Sequence, residues 1–498
     1  MSDHQPPSPS VRARLRGAAA AVRHSVARRP VPWIAGGLVG VLVLGSGASA
    51  AIAAATMPSR PSAAPRSAPV STAPTSTPRV ATTPSPTATA ESRAVPEDPS
   101  GPSALRTCTI DAAASAAGLG SFEGFVMDAA SGETLFSRNG GKAAQTGSVM
   151  KTLTSATALA VLGGDHRIPT TVTQEGDGTV ALVGHGDATL SAGNGTVYPG
   201  APTLADLAQQ VKAKLGNTPV RTIVADDSYW DDADAWDPSW PESERTIGYQ
   251  PRVTALMVDG DRADPTAATS PRSTDPVGRA GAAFRTALAN AGVVGAADAQ
   301  VVERATTSTD TIATVSSQPV STLIGQMIPN SDNTLAEMLA RVSSKESGAA
   351  GSAASLTGVY QEALAGYGVD PAGITIRDGS GESAANAVSP EFVAHLMVPV
   401  AAGAKGLGVL SQSLPVAGVS GTLSSRFTGA NADARGKVHA KTGWIDSANT
   451  LGGYIDAADG RRLTFAFYAI GSSRAAALPA LDAVTAATYR CGGSLTSS

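Results

Sequence analysis

The chain has 498 residues, a net charge of −4 and two cysteines. This length allows two or three domains, although the first hundred residues lack the composition of a folded domain. Because there is no basic excess over the whole chain, nucleic acid is not expected as a partner.

The N-terminal part predicts a membrane anchor. Residues 1–31 are polar and arginine-rich, and residues 32–56 contain no charged side chain. An apolar stretch of that length can cross about 30 Å of hydrocarbon as a helix. The basic tail is expected in the cytoplasm, so the rest of the chain is expected on the extracytoplasmic side of the cell membrane, after a single pass. A cleaved signal peptide is the alternative, since Ala48-Ser49-Ala50 resembles a cleavage site.

A linker follows the apolar stretch. Residues 57–103 consist mainly of Pro, Ser, Thr and Ala with scattered charges. They carry too few apolar side chains to form a core, so a disordered tether is predicted.

The folded part is predicted to begin near residue 105 and to alternate between strands and helices. Strands are predicted within residues 122–141, 170–193, 220–230, 373–383 and 436–471. Helices are predicted at 146–163, 204–216, 279–293, 321–344, 355–369, 389–403 and 473–490. An antiparallel sheet flanked by helices, and therefore an α+β fold, is the expected result.

The two cysteines, Cys108 and Cys491, lie at opposite ends of this folded part. In an exported chain, two distant cysteines are most simply one disulfide that joins the ends of a domain. Two unrelated free thiols are the alternative.

No metal or cofactor is expected. The six histidines form no His-Glu-x-x-His motif or cluster. The acidic stretch 226–244 lacks the alternating spacing and the glycine of a calcium loop. Its three tryptophans favour a surface loop held by packing, and a sugar-stacking surface is the alternative for this stretch.

Ser148 and Lys151 form the first chemical motif. They lie three positions apart at the start of the predicted helix 146–163. Side chains at this spacing share one helical face, so the amine of Lys151 can reach the hydroxyl of Ser148. The start of a helix also stabilises negative charge, which favours a serine nucleophile. Taken alone, the motif is weak, and a capping serine with a solvated lysine is the more common explanation of such a pair.

Two later motifs complete a set. Ser331-Asp332-Asn333 lies on a predicted helix, and Lys441-Thr442-Gly443 lies on a predicted strand. The order Ser-x-x-Lys, Ser-Asp-Asn, Lys-Thr-Gly is typical of penicillin-binding proteins and class A β-lactamases.

The surrounding sequence narrows the family. The stretches SVMKTLTSATAL, VADDSYW, YQPRVTALMVD, SDNTLAEMLAR and AKTGWIDSANTLGGYI resemble low-molecular-mass class C penicillin-binding proteins. These are D-alanyl-D-alanine carboxypeptidases that also act as endopeptidases, and the resemblance covers residues 105–490. It implies a transpeptidase-like catalytic domain at 104–164 and 311–498, with an inserted domain at 165–310. Class A β-lactamases are a poorer match, because no Glu-x-x-Leu-Asn motif is present.

The motifs suggest a role for each residue. A neutral Lys151 would take the proton of Ser148 as the serine attacks a carbonyl. Ser331 would pass a proton to the leaving amine, while Asn333 would hold the substrate amide. Lys441 would supply positive potential.

Substrate binding is expected along the strand that follows Lys441. Thr442 would offer a hydroxyl to a terminal carboxylate, with Gly443 beside it. The backbone N–H groups of Ser148 and Trp444 would form an oxyanion hole. The family usually has a second threonine where this chain has Trp444, so the hydroxyl that helps to hold the substrate carboxylate is missing.

The predicted function is that of a serine DD-peptidase. It would cleave the D-Ala-D-Ala bond of peptidoglycan stem peptides, and D-Ala cross-links, through an acyl-serine intermediate, with β-lactams as inhibitors. The alternative is a non-hydrolytic penicillin-binding or β-lactam-sensing membrane protein. The sequence leaves the oligomeric state open.

Overall fold

The computed structural model describes residues 107–176, 178–193 and 195–496. The predicted tail, anchor and linker, at 1–31, 32–56 and 57–103, lie outside the described residues. No helix within the described ranges combines the length and the apolar character that crossing a bilayer requires.

Helices make up much of the described chain. They are α1 Asp111–Ala114, α2 Met150–Val161, α3 Leu204–Leu215, α4 Glu242–Ile247, α5 Pro276–Asn290, α6 Val320–Asn330, α7 Asn333–Glu346, α8 Leu356–Ala365, α9 Pro390–Ala401, α10 Gly408–Ser413 and α11 Arg474–Cys491.

The first sheet joins the two ends of the folded part. Its strands are β1 Ser121–Asp128, β2 Thr134–Arg138, β8 Val438–Ile445, β9 Ala448–Asp456 and β10 Arg462–Ile470. They lie in the order β2-β1-β10-β9-β8, and all neighbours are antiparallel. From residue 463 to residue 469 every side chain of β10 is buried, because α9 covers one face of the sheet and α11 the other. Strand β8, which carries Lys441, lies at an edge.

The second sheet is formed between the Ser-x-x-Lys and Ser-Asp-Asn motifs. Its strands are β3 Pro169–Gln174, β4 Thr179–Gly184, β5 Thr222–Asp226, β6 Gln300–Glu303 and β7 Thr311–Ser316. The order is β6-β5-β4-β3-β7, with β4, β5 and β6 parallel. Helices α3 and α5 connect these parallel strands. The core between these helices and the sheet contains the buried side chains of Leu207, Val211, Phe284 and Leu288. The boundaries of the predicted inserted domain, 165–310, remain a prediction, and β7 begins one residue beyond them.

Helix α2 runs through the main hydrophobic core. Met150, Leu153 and Ala156 have no exposed surface, and α2 packs against α7 and α8. A helix that is buried on all sides is fixed in position by its neighbours. Its first turn is therefore a rigid support for Ser148 and Lys151.

Two sequence predictions were wrong in detail. The single helix predicted at 321–344 is divided into α6 and α7, because Ser331 adopts a left-handed conformation with φ of 57°. The structure describes all of residues 373–383, and the strand predicted there does not form. One isolated bridge pairs Thr375 with Ala387. The remaining residues of that segment form a loop, since their N–H groups bond to side chains rather than to a neighbouring strand.

The predicted disulfide between Cys108 and Cys491 is present. It joins the start of the described chain to the last residue of α11, and a backbone bridge between Cys108 and Leu495 lies beside it. The bond closes a loop of 383 residues.

Candidate active site

Ser148 lies in a short 3₁₀ turn, Gly147–Val149, that leads directly into α2. Lys151 follows in the first turn of α2, and its Nζ lies 2.9 Å from Ser148 Oγ. The same Nζ contacts Asn333 Oδ1 at 2.7 Å and the Ser380 carbonyl oxygen at 2.8 Å. The predicted contact between Ser148 and Lys151 is therefore present, and Asn333 shares it.

The surroundings of Lys151 change its proton affinity. The side chain is fully buried, which lowers its pKa because burial penalises the charged amine. The carboxylates of Glu337 and Glu382 act in the opposite direction. The balance lowers the pKa from its usual value of 10.5 to about 8. A substantial neutral fraction at physiological pH follows.

The Ser-Asp-Asn motif spans the break between α6 and α7. Ser331 ends α6 in the left-handed conformation, which costs roughly 1–2 kcal/mol for a residue with a Cβ. Asp332 caps α7 by accepting a hydrogen bond from Leu335 N at 3.0 Å. Asn333 is the first residue of α7. The motif therefore holds two polar side chains at the start of a buried helix.

Asp332 also connects this motif to two residues of the predicted inserted domain, Arg262 and Tyr198. Its carboxylate forms an ion pair with Arg262 at 2.9 Å and accepts a hydrogen bond from the Tyr198 hydroxyl at 3.1 Å. Burial raises the pKa of Asp332, but the charges of Arg262 and Arg272 overcome this effect and the net pKa is lowered. Asp332 is thus a positioning residue, whose carboxylate is bound by Arg262 and Tyr198.

Lys441 forms the second lysine–serine pair. Its Nζ lies 2.9 Å from Ser331 Oγ and 2.9 Å from its neighbour's carbonyl oxygen, Thr442 O. The side chain is fully buried, and burial together with the charge of Lys151 lowers its pKa well below 10.5. The next side chain, Thr442, donates its hydroxyl proton to Thr422 Oγ1 at 2.8 Å.

The end of β8 touches the turn that carries Ser148. A Cβ on Gly147 would lie 2.6 Å from Trp444 N, and a Cβ on Gly443 would lie 2.9 Å from Ser148 N. Glycine at both positions lets the two backbone segments approach closely. The N–H groups of Ser148 and Trp444 therefore lie in one small region, as the oxyanion-hole prediction requires.

The loop at 378–382 contributes groups that the sequence analysis did not assign. Its Ser380 carbonyl accepts from Lys151, and Glu337 accepts from Ser380 N at 2.8 Å and Gly379 N at 3.1 Å. Burial, followed by the charge of Asp378, raises the pKa of Glu337 to about 7. Glu337 could have been found from its spacing, since it lies one helical turn after Asn333.

The loop itself also contributes a carboxyl group, that of Glu382, which lines the cleft. Its Oε2 lies 3.5 Å from Asn333 Nδ2, and its pKa is raised to about 7 by burial and by the neighbouring Glu244. The sequence analysis predicted a strand within 373–383 and did not identify Glu382, because its contact with Asn333 spans 49 positions.

All these groups line or adjoin one cleft of about 970 Å³. Ser148, Ser331, Asn333, Thr442 and Trp444 lie on its surface, and Lys151 and Lys441 lie beneath it. The structure therefore brings together every residue predicted for catalysis and substrate binding. The cysteines take no part, since Cys108 and Cys491 lie in the separate core around α11.

The fold matches a known class of enzymes. Penicillin-binding protein 4 (dacB) from Haemophilus influenzae superimposes with a TM-score of 0.66 over 77% of this chain and 100% of that chain, at 18% identity. A structure of that protein in complex with a novel β-lactam gives a TM-score of 0.57 at the same identity, over 74% of this chain and 96% of that chain. At this identity the likeness establishes the fold alone, which is the α+β penicillin-binding fold.

Sequence comparison defines the family. The D-Ala-D-Ala carboxypeptidase 3 (S13) family matches residues 107–271 and 262–489. Carboxypeptidase DacB of Mycolicibacterium smegmatis is 35% identical over 419 residues, which cover 82% of this chain and 89% of that protein. A D-alanyl-D-alanine carboxypeptidase of an Actinomadura species is 32% identical, over 72% and 79%. The chain belongs to the D-Ala-D-Ala carboxypeptidase 3 (S13) family, which confirms the resemblance and the predicted serine DD-peptidase function.

Proposed function

We propose that this DD-peptidase uses Ser148 as its nucleophile and Lys151 as its general base. The observation that carries the proposal is the set of three contacts made by Lys151 Nζ. A neutral amine has two N–H groups and one lone pair. Two of its three neighbours, Asn333 Oδ1 and Ser380 O, can only accept hydrogen bonds. The lone pair must then face the third neighbour, the hydroxyl of Ser148.

Acylation follows from this arrangement. Ser148 Oγ attacks the carbonyl carbon of the D-Ala-D-Ala bond while its proton moves to Lys151. The negative charge that develops on the carbonyl oxygen would be stabilised by the N–H groups of Ser148 and Trp444. Asn333, whose Oδ1 is engaged by Lys151, would bind the substrate amide through its remaining groups.

The leaving group requires a proton. Ser331 Oγ is a suitable donor, because Ser331 lines the cleft and its hydroxyl is in contact with Lys441. When Ser331 gives its proton to the departing D-alanine nitrogen, the ammonium form of Lys441 replaces it, which leaves Lys441 neutral while Lys151 holds the proton taken from Ser148. Water then attacks the acyl-serine ester. The proton of the water passes to Lys441, and Lys151 returns its proton to Ser148 Oγ, so both lysines regain their starting states.

The substrates we propose are peptidoglycan stem peptides that end in D-Ala-D-Ala, and D-Ala cross-links between them. β-Lactams should acylate Ser148 as well, since they present an amide next to a carboxylate. The wide cleft supports both peptide substrates, because a volume near 970 Å³ accommodates several residues.

The test combines product release with serine labelling. The wild-type chain should release D-alanine from a D-Ala-D-Ala pentapeptide and should form a covalent adduct with a fluorescent penicillin. Ser148→Ala should lose both activities, by at least about 10⁴-fold in turnover. Ser131→Ala, which alters an exposed serine in the turn after β1, should keep both. A labelled band that survives Ser148→Ala would contradict the proposal.

The alternative function predicts a different outcome of the same test. A non-hydrolytic penicillin-binding or sensing protein would form the adduct at Ser148 but would release no D-alanine from the peptide. A clean adduct without product would therefore favour that alternative over a peptidase.

We also propose that residues 32–56 anchor the chain in the cell membrane, with the catalytic domain on the extracytoplasmic side. The support is the uncharged sequence and the arginines that precede it. Membrane fractions should retain the full-length chain in high salt and release it with detergent. Recovery of a shortened chain in the soluble fraction would indicate the cleaved signal peptide instead.

A further inference from the structure

Arg474 and Trp444 form a stacked pair on one wall of the cleft. The guanidinium carbon of Arg474 lies 4.5 Å from the centroid of the Trp444 ring, and both residues line the cleft. Trp444 is 42% exposed, which is unusual for so large an apolar side chain. Arg474 is the first residue of α11, so the positive end of this helix adds to its charge.

The other cationic groups around the cleft are already engaged. Arg262 is paired with Asp332, and Arg426 is paired with Asp482 at 2.7 Å. Arg272 donates to backbone carbonyl groups, including Gly248 O at 2.9 Å. Within the part of the chain that the structure describes, Arg474 lines this cleft without a carboxylate within ion-pair distance, and stacking is its contact.

Contact with Trp444 places Arg474 on the side of β8 that carries Thr442. Thr442 and Trp444 are two residues apart on β8, so their side chains point to the same face of the strand, about 7 Å apart. The Thr442 hydroxyl already donates to Thr422 Oγ1. A carboxylate next to Thr442 therefore needs another donor, and the guanidinium on Trp444 is adjacent.

The cleft is lined by charged groups of both signs. Three carboxylates also line the cleft, those of Glu244, Glu382 and Asp446. Burial raises the pKa of Glu244, and the charge of Asp446 raises it further, so these two carboxylates interact. A carboxylate would be repelled by these residues. The Trp444–Arg474 pair offers the complementary surface for the anionic end of a peptide.

We propose that Arg474, held against the Trp444 ring, binds the C-terminal carboxylate of the substrate and so determines the preference for a free peptide C-terminus. This inference rests on the proposed function. A planar guanidinium can bind a carboxylate through two N–H groups, and stacking on the indole fixes its plane before the substrate arrives. Trp444 is then a positioning residue that acts through Arg474.

The experiment compares two substrates in the full-length chain. One is an N-acetylated peptide ending in D-Ala-D-Ala, and the other is the same peptide with a C-terminal carboxamide. Arg474→Gln should raise KM for the free acid by roughly 10- to 100-fold, as expected for the loss of a hydrogen bond to a charged group. It should leave KM for the carboxamide and kcat for both peptides nearly unchanged. Equal losses on both substrates, or no loss on either, would overturn the proposal.

Two further variants separate recognition from folding. Arg221→Gln, which alters an exposed arginine directly before β5, should leave both KM values at the wild-type level. Trp444→Ala should raise KM for the free acid by a smaller factor, and adding Arg474→Gln to it should have less effect than Arg474→Gln alone. Fully additive effects would show that Trp444 does not act through Arg474. If the wild-type chain cleaves neither peptide, it is the proposed function that fails.

Discussion

The cleft contains two lysine–serine pairs with similar contacts and different surroundings. Lys151 and Lys441 are both fully buried, each lies 2.9 Å from a serine Oγ, and each also contacts a backbone carbonyl. Lys151, however, is surrounded by carboxylates that hold its pKa near 8. Among the described residues, the charge that acts on Lys441 is the like charge of Lys151.

The difference supports separate roles for the two lysines. A lysine that changes between charged and neutral forms near neutral pH suits a general base, which is the role we propose for Lys151. Burial and the charge of Lys151 lower the pKa of Lys441, and a bound anionic group would raise it. A lysine next to a serine can therefore activate the nucleophile at one position. At the other position the lysine can change its protonation when an anionic substrate group binds.

The largest difference between the pairs is expected when each lysine is removed. Lys151→Met should lower kcat for D-alanine release by about 1000-fold with little change in KM, because the proton acceptor of Ser148 is lost. It should also destabilise the fold by about 1–3 kcal/mol, since Asn333 Oδ1 and Ser380 O lose their donor. Steady-state kinetics and thermal unfolding measure the two effects. A variant that keeps its kcat would exclude Lys151 as the base.

Lys441→Met should have a smaller effect of a different kind. Without the amine, the positive potential next to the bound carboxylate is lost, so KM should rise by about 10- to 100-fold. The loss in kcat should be smaller than for Lys151→Met, because Ser331 retains its hydroxyl. The same kinetic assay compares the two variants. If Lys441→Met reproduces the kcat loss of Lys151→Met, the separation of roles is wrong.

The pH dependence sharpens the comparison further. If the neutral form of Lys151 is the base, as we propose, acylation by a penicillin should slow about tenfold per pH unit below pH 8 and level off above it. The Glu337 carboxylate raises the pKa of Lys151, so Glu337→Gln should lower that pKa and move the acid limb to lower pH. Stopped-flow acylation rates across the pH range measure the shift.

A matched variant controls for the change of charge. Glu362→Gln alters an exposed carboxylate on α8 and should leave the limb where it is. A limb that stays in place, or moves to higher pH, in Glu337→Gln would contradict the electrostatic assignment of Lys151.

The smallest effect on the site is expected from the disulfide. Cys108→Ser should lower the free energy of unfolding by about 2–5 kcal/mol, because the bond no longer restricts the unfolded chain. The bond joins the two ends of the folded part and neither cysteine lines the cleft, so the rate of acylation should not change. Denaturant unfolding and penicillin labelling at room temperature test the two statements. Slower acylation in a folded Cys108→Ser variant would contradict this prediction, because it would show that the disulfide affects the active site.

The sequence predicted the elements whose pattern is local. The three strands β8, β9 and β10 and the helices α3, α9 and α11 follow from hydrophobic periodicity and turn residues. The break at Ser331 was missed because residues 321–344 are apolar at helical spacing, and only tertiary contacts favour a left-handed serine there. The parallel pairing of β4, β5 and β6 was missed as well, since it depends on crossovers through α3 and α5.

The site shows the same division. Ser148, Lys151, Asn333 and Lys441 were predicted from their motifs, which lie on short stretches of chain. Glu382 was not predicted, because its role depends on distance in space and on burial. Spacing alone also gives no information on whether a lysine is charged, which depends here on the carboxylates around it.

The most direct test of the account identifies which serine of the two pairs carries the acyl group. The wild-type chain is labelled with a penicillin, digested with trypsin and analysed by mass spectrometry. Ser148 lies on the peptide 143–151, and Ser331 lies on the peptide 305–341. We expect the penicilloyl adduct on peptide 143–151, at Ser148. An adduct on peptide 305–341, at Ser331, would contradict the assignment of Ser148 and Lys151 as nucleophile and base.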